Sequence, residues 1–117
     1  MSGIVGTSHS KSKVVGRSKD TAKAWVHMSS SSATVEQDYN CSSCTRVGEG
    51  VYTANFDTGA VLDTSYAIAA SAQRGSEYLR ADRYTTGMST SGCTFILRNL
   101  NDAEFDPDEF TVIVFGV

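Results

Sequence analysis

Gly48-Glu49-Gly50-Val51-Tyr52-Thr53-Ala54-Asn55-Phe56 is a glycine-flanked turn followed by strict alternation. Tyr52, Ala54 and Phe56 fall on one side, with Val51, Thr53 and Asn55 on the other. A period of two is the mark of a β-strand with one face in a core. The preceding Cys41–Val47 carries the β-branched and hydroxyl residues of a partner strand, so the two predict a hairpin closed at Gly48–Gly50.

The same pattern recurs outward from this hairpin. Upstream, Ala22, Ala24, Val26 and Met28 alternate with Lys23, Trp25 and His27, and Ser29–Ser32 is a serine turn. Thr34–Tyr39 runs into Cys41–Val47 as a strand that bends or bulges near Asn40. Downstream, Tyr66–Ala72 is small and apolar, as in a strand packed closely against another sheet, and Tyr78–Thr85 alternates again. Gly75, Gly87 and Gly92 read as breaks, Cys93–Arg98 and Phe110–Val117 as the last two strands, and Asn101–Glu109 as a loop with one helical turn at most. About eight short strands at this spacing predict an all-β fold, a single jelly-roll-like β-sandwich over residues 22–117. At 117 residues there is room for one such core. No apolar run approaches the ~18 residues of a membrane helix. Met1–Gly6 lacks the basic start and apolar centre of a secretory signal, so synthesis and assembly in a cytosol are expected.

Residues 1–21 are rich in Gly, Ser and Lys and read as an extended arm, interrupted by the apolar pairs Ile4-Val5 and Val14-Val15. All four lysines lie in the first 23 residues. Together with Arg17 and against Asp20 they give that segment a charge of +4. Residues 24–117 hold five arginines against twelve acids, −7. A basic arm ahead of an acidic body suits a segment that docks on an acidic partner, and a solvated terminus is the plainer reading. Nucleic acid is not an expected partner, because the body has no stripe of basic and aromatic residues.

Catalytic chemistry has little to work with. His9 and His27 neighbour no nucleophile, and the G-x-S-x-G, P-loop and H-E-x-x-H motifs are absent from the sequence. An enzyme is not expected, and neither is a cofactor. Cys41-Ser42-Ser43-Cys44, with Cys93 and a histidine, could supply the ligand types for zinc. On a regular strand, residues three apart point to opposite faces, which tells against a zinc site. The odd cysteine count and cytosolic synthesis tell against a disulfide framework, leaving buried thiols. The acidic run Asp102, Glu104, Asp106, Asp108 and Glu109 could hold a hard cation, or meet arginines of a neighbouring subunit. No metal site is expected from these weighings.

Four segments carry a resemblance: Asp20-Thr21-Ala22-Lys23-Ala24-Trp25-Val26, Asn40-Cys41-Ser42-Ser43-Cys44-Thr45, Gly48-Glu49-Gly50-Val51-Tyr52-Thr53 and Asp63-Thr64-Ser65-Tyr66-Ala67. With the closing strand Phe110–Gly116, they resemble a β-domain family of bacteriophage tail fibres and small virion structural proteins, especially of marine phages. The resemblance covers about residues 20–117, and Ser2–Gly6 is similar to the start of short marine-phage structural proteins. Cys41 and Cys44 stand where the pattern is usually apolar, and the loop after Val26 is serine-rich where the pattern is Asn/Gly-rich. The resemblance implies a homotrimeric virion protein on the particle exterior, assembled in the host cytoplasm and without catalytic residues. A tail-fibre or receptor-binding role heads the expectations. Capsid decoration is the alternative, and a carbohydrate-binding module is the weaker one. The arm residues Ile4, Val5, Lys11, Lys13, Arg17 and Lys19 would attach the domain to a tail or major capsid protein. Tyr78, Arg80 and Tyr84 would meet a host surface glycan or another subunit.

Overall fold

The computed structural model describes residues 21–29, 31–75 and 77–116, without the side chains of Glu77, Tyr78, Thr85 and Thr86. The eight strands are β1 (Ala22–Ser29), β2 (Thr34–Tyr39), β3 (Cys41–Gly48), β4 (Val51–Phe56), β5 (Ala67–Arg74), β6 (Glu77–Met88), β7 (Gly92–Arg98) and β8 (Glu109–Phe115). All pairs are antiparallel, in the order β2-β1-β8-β5-β6-β7-β4-β3. The fold is the all-β sandwich that the alternation predicts, made by one sheet that nearly closes on itself.

Two bent strands make the sandwich from that single sheet. β6 pairs with β5 through residues 77–79 and with β7 from Arg80 onward, so it carries the sheet from one half to the other. At the opposite edge β2 passes into β3 through Asn40, whose φ of 56° is the left-handed conformation that Asn tolerates. The bend is pinned from both sides: Asn40 Nδ2 donates to the Lys23 carbonyl at 2.8 Å, and Asp57 N donates to the Asn40 carbonyl at 2.8 Å. Within this order β5, β6 and β7 are consecutive neighbours, with β8 returned beside β5 and β4 beside β7. These are two Greek keys sharing three strands.

The core lies between the halves. Ala24, Val26 and Met28 of β1 and Phe110, Val112 and Val114 of β8 face Tyr52, Ala54 and Phe56 of β4 and Phe95 and Leu97 of β7. The Phe95 and Phe110 rings meet edge-on at 5.3 Å and tie the two halves together. Burying each such apolar side chain is worth about 1.5–3 kcal/mol. Gly50, at φ 72°, closes the β3–β4 hairpin, and a Cβ there would stand 2.9 Å from the Leu97 carbonyl oxygen.

Three local expectations change. Gly87 is not a turn: it lies within β6, where an added Cβ would stand 2.8 Å from Thr94 Cβ. The chain reverses at Ser89–Ser91, and β6 accommodates extra residues between Arg83 and Met88 as a bulge. Tyr66 stands before β5 and not in it, and its hydroxyl donates toward the Ser89 and Gly92 carbonyls at 2.8 and 2.9 Å. β5 packs on the core only through Ile68 and Ala72, and Ala67, Ala69 and Ala70 are exposed. Asn101–Glu109 forms no helical turn. Asn99 Oδ1 accepts from the Asn101 and Ala103 amides, and Asp102 is left-handed at φ 65°.

Candidate interaction surfaces

The loop from Asn99 to Asp108, which joins β7 to β8, is fastened at Asp106. Arg46 on β3 donates to both carboxylate oxygens, with Nη2 2.9 Å from Oδ2. The Gly50 amide and the Tyr52 hydroxyl both reach Oδ1 at 2.9 Å, and Tyr52 also lies 2.9 Å from the Ser31 carbonyl. The single phenolic proton serves two acceptors there. Burial alone would raise the Asp106 pKa. The bonds from Arg46, the Gly50 amide and Tyr52 outweigh it and hold the carboxyl below its ordinary range. Burial and then the Asp106 contact push the Tyr52 hydroxyl well above its ordinary value.

The rest of the acidic run is also engaged within the chain. Asp102 pairs with Arg80, Glu104 reaches Arg98 at 3.8 Å, Asp108 accepts from the Gly75 amide at 2.8 Å, and Glu109 lies 3.3 Å from His27 Nε2. Phe105 carries the Arg74 guanidinium 4.6 Å over its ring. The run therefore meets arginines of its own chain. It also does not gather around a cation: among the described residues, no group of three His, Cys, Asp or Glu side chains is placed to hold a metal ion. The carboxylates are spread along the loop because each is aimed at a different partner.

The three thiols do come together, against the opposite-face expectation. The register shifts between Cys41 and Ser43, so Ser42 is an extra residue and the phase of the strand changes. Cys41 and Cys44 then both face the core, where Cys93 joins them. Cys44 and Cys93 lie opposite Ala54 from its two sides. Two strand spacings, about 9.5 Å, separate their backbones, beyond the ~7 Å that a disulfide can span. All three thiols are unbridged. Burial first, and then their neighbours, push Cys41 up to about 12 and Cys44 up to about 11, and Cys93 is raised by the same burial and by the other two thiols. Held as thiols by that burial, they pack as small apolar side chains of the core.

Of the residues expected to contact partners, Arg80 and Tyr84 lie on β6. Arg80 is already bonded to Asp82 at 2.8 Å and to Asp102, whereas Tyr84, at the start of the bulge, is 44% exposed. The side chain of Tyr78 lies outside the described residues, as do Ile4, Val5, Lys11, Lys13, Arg17 and Lys19 of the arm. None of the described residues forms a helix, so none is long and apolar enough to cross a membrane.

One surface was missed by sequence reasoning. Tyr39, Trp25, Ile113 and Ala69 are successive cross-strand partners on β2, β1, β8 and β5, and Ala22, Phe115 and Ala67 form the adjoining row. These side chains face away from the core, since Val26 and Val112 between them are fully buried. The next row, Gln37–His27–Thr111–Ser71, is polar, and His27 Nδ1 lies 2.9 Å from Thr111 Oγ1. The available signal was Phe110-Thr111-Val112-Ile113-Val114-Phe115, in which both parities are largely apolar. A strand of that kind is covered on both faces. No family model, curated protein or solved structure matches this chain.

Proposed function

We propose that this chain is a non-enzymatic structural protein of a bacteriophage particle: a trimeric, fibre-like β-domain on the virion exterior, of tail-fibre or receptor-binding type, held by its N-terminal arm. The observation that carries this reading is the charge division, +4 over residues 1–23 against −7 over the β-domain, together with the motif resemblance over residues 20–117. In support, the 102–109 acids brace the sandwich through pairs within the chain. The half-exposed ring of Tyr84 is an aromatic platform of the sort that stacks on a host sugar.

Capsid decoration rests on the same basic arm, laid on an acidic shell in place of a tail socket. Quantitative mass spectrometry of purified particles separates the two. A few copies per particle is the result expected for a fibre, hundreds would replace it with decoration, and absence from particles overturns both. Deleting residues 1–21 is expected to leave a folded domain that no longer incorporates, and normal incorporation overturns the attachment role. Sedimentation at micromolar concentration is expected to show a trimer, and monomer alone overturns that part of the reading.

A further inference from the structure

The outward side of β2, β1, β8 and β5 is laid out in four cross-strand rows. Tyr39–Trp25–Ile113–Ala69 is flanked by Ala22–Phe115–Ala67 on one side and by Gln37–His27–Thr111–Ser71 on the other, and Thr34–Ser29–Glu109–Gln73 follows the polar row. Tyr39 is 51% exposed, Ala67 and Ala69 are exposed, and Trp25, Ile113 and Phe115 are half-buried. The four rows hold no lysine or arginine, and the centre of a protein interface is depleted in charge in the same way. Side-chain size alternates from row to row. In the Tyr39 and Gln37 rows the larger residues lie on β2 and β1. In the other two rows they lie on β8 and β5, as Phe115, Glu109 and Gln73.

We propose that this face is a self-association surface, on which a second copy of the chain packs about a two-fold axis running nearly along the strands between β1 and β8. That axis lays β2 of one copy over β5 of the other and β1 over β8, row upon row. Tyr39 then meets Ala69, Trp25 meets Ile113, and Ala22 meets Phe115. Past them Gln37 meets Ser71, His27 meets Thr111, and Ser29 meets Glu109. A larger side chain faces a smaller one at each position, so the face fits its own rotated image, as an isologous contact requires. Four strands at ~4.8 Å and four rows at ~7 Å give roughly 500 Å² in plan. The side chains standing on it raise the accessible area toward the ~600 Å² that each partner buries in the smallest specific interfaces. The contact is therefore weak and fills above the micromolar range. It goes beyond the three-fold arrangement proposed above and stands without it: a three-fold contact joins two different surfaces, whereas this one joins a surface to itself.

The register supplies the test. Across the pair, Tyr39 of one copy faces Ala69 of the other at the ~10 Å between packed sheets, while the two Tyr39 positions, and likewise the two Ala69 positions, stand about 17 Å apart. The full-length variants Tyr39→Cys and Ala69→Cys are treated with a short bis-maleimide at submillimolar concentration, separately and mixed, with the unaltered chain as blank. A two-chain product is expected in the mixture at several times the yield of either variant alone, and is expected to vanish on dilution to micromolar. Equal yields in the mixture and the separate variants, or no product in the mixture, overturn the proposal. Trp25 is the only tryptophan and gives a second readout without a cross-linker. Its protection from acrylamide is expected to rise with protein concentration in the unaltered chain and in Thr45→Arg, on the opposite face, and to stay flat in Ala69→Arg, an exposed position, with circular dichroism unchanged. Protection that is flat in all three, or that rises equally in all three, overturns the proposal. Sedimentation at micromolar concentration tests the trimer alone, so failure of that reading leaves both readouts untouched.

Discussion

The two outward faces of the sandwich are built on opposite principles. Across β3, β4 and β7 the exposed side is a hydrogen-bonded ladder. Asn55 Nδ2 donates to Ser43 Oγ and Thr45 Oγ1, both at 3.0 Å, and the Thr53 and Thr94 hydroxyls meet at 2.8 Å. Its apolar members lie at the hairpin end: Ile96 is only 7% exposed, its cross-strand partner Val51 is half-buried, and Val47 of β3 is exposed. Across β2, β1, β8 and β5 the corresponding side is aromatic and aliphatic over two rows. Both halves share one core, so stability does not explain the difference. A face finished with its own hydroxyls and amides needs nothing further, whereas an apolar one gains free energy from whatever covers it.

β8 allows the sharpest test, because its inward and outward residues can be altered on one strand. Phe110→Ala removes the ring that bridges the two halves, and the expected loss is about 3–5 kcal/mol in denaturant unfolding. Ile113→Ser, on the outer row, is expected to cost about 1 kcal/mol or less, as surface substitutions do. Comparable losses at the two positions would mean that the outer face is packed as tightly as the core, and the comparison between faces would fail.

Asp106 fastens the long loop on which β8 depends, and Asp106→Ala is expected to cost about 2 kcal/mol, since the Gly50 amide and Tyr52 hydroxyl lose a charged acceptor. The pH dependence has a defined sign. The folded-state pKa lies below the unfolded value, so the contribution is fully present above the ordinary carboxylate value of 3.8 and is lost as pH falls through the depressed one. Unfolding free energy measured from neutral pH down to the acid limb is expected to fall more steeply for the unaltered chain than for Asp106→Asn. Parallel curves would show that Asp106 is not the acid-sensitive brace.

These contrasts also show what the sequence makes legible and why the rest is hidden. Alternation in 51–56 and 24–28 and the apolar runs of 93–98 and 110–115 place the core strands, because period-2 burial is a local property. The bend at Asn40 is legible for the same reason. The phase change at Ser42 is not, since a bulge is set by the partner strand, and it reverses the relation of Cys41 to Cys44. The register shift at Lys23 likewise breaks the alternation expected from Ala22, burying Lys23 and setting Ala22 opposite Phe115. Gly87 looks like a turn until Thr94 is opposite it. The outward apolar rows are assembled from four strands distant in sequence, so Trp25 and Ala69 each look unremarkable alone. The partners of Asp106 and Asp102 are set by loop placement, which residue spacing does not encode.

The buried thiols give a kinetic counterpart. With Cys41 pushed up to about 12 and Cys44 up to about 11, thiolate is scarce in the folded chain across pH 7–9. Alkylation by iodoacetamide is expected to be slow in the native protein, to label all three cysteines promptly in denaturant, and to leave no oxidised pair on mass analysis. Rapid native labelling of Cys41 or Cys93 would show that the core beneath the β3 edge opens readily.

The smallest expected effect lies on the polar face, at Thr53 and Thr94. Their hydroxyls bond each other at 2.8 Å on a partly exposed surface where water can replace either partner. Each single change to valine is therefore expected to cost about 0.5–1 kcal/mol, and the double change less than the sum, because removing both hydroxyls strands neither. What the pair does change is the character of the face: two adjacent valines would extend the Val51–Ile96 pair into an apolar patch like that of Trp25 and Ile113. Binding of a hydrophobic dye is expected to rise in the double variant with little loss of unfolding free energy. If stability instead falls by several kcal/mol, the ladder helps hold the sandwich together and is not simply a finish toward water.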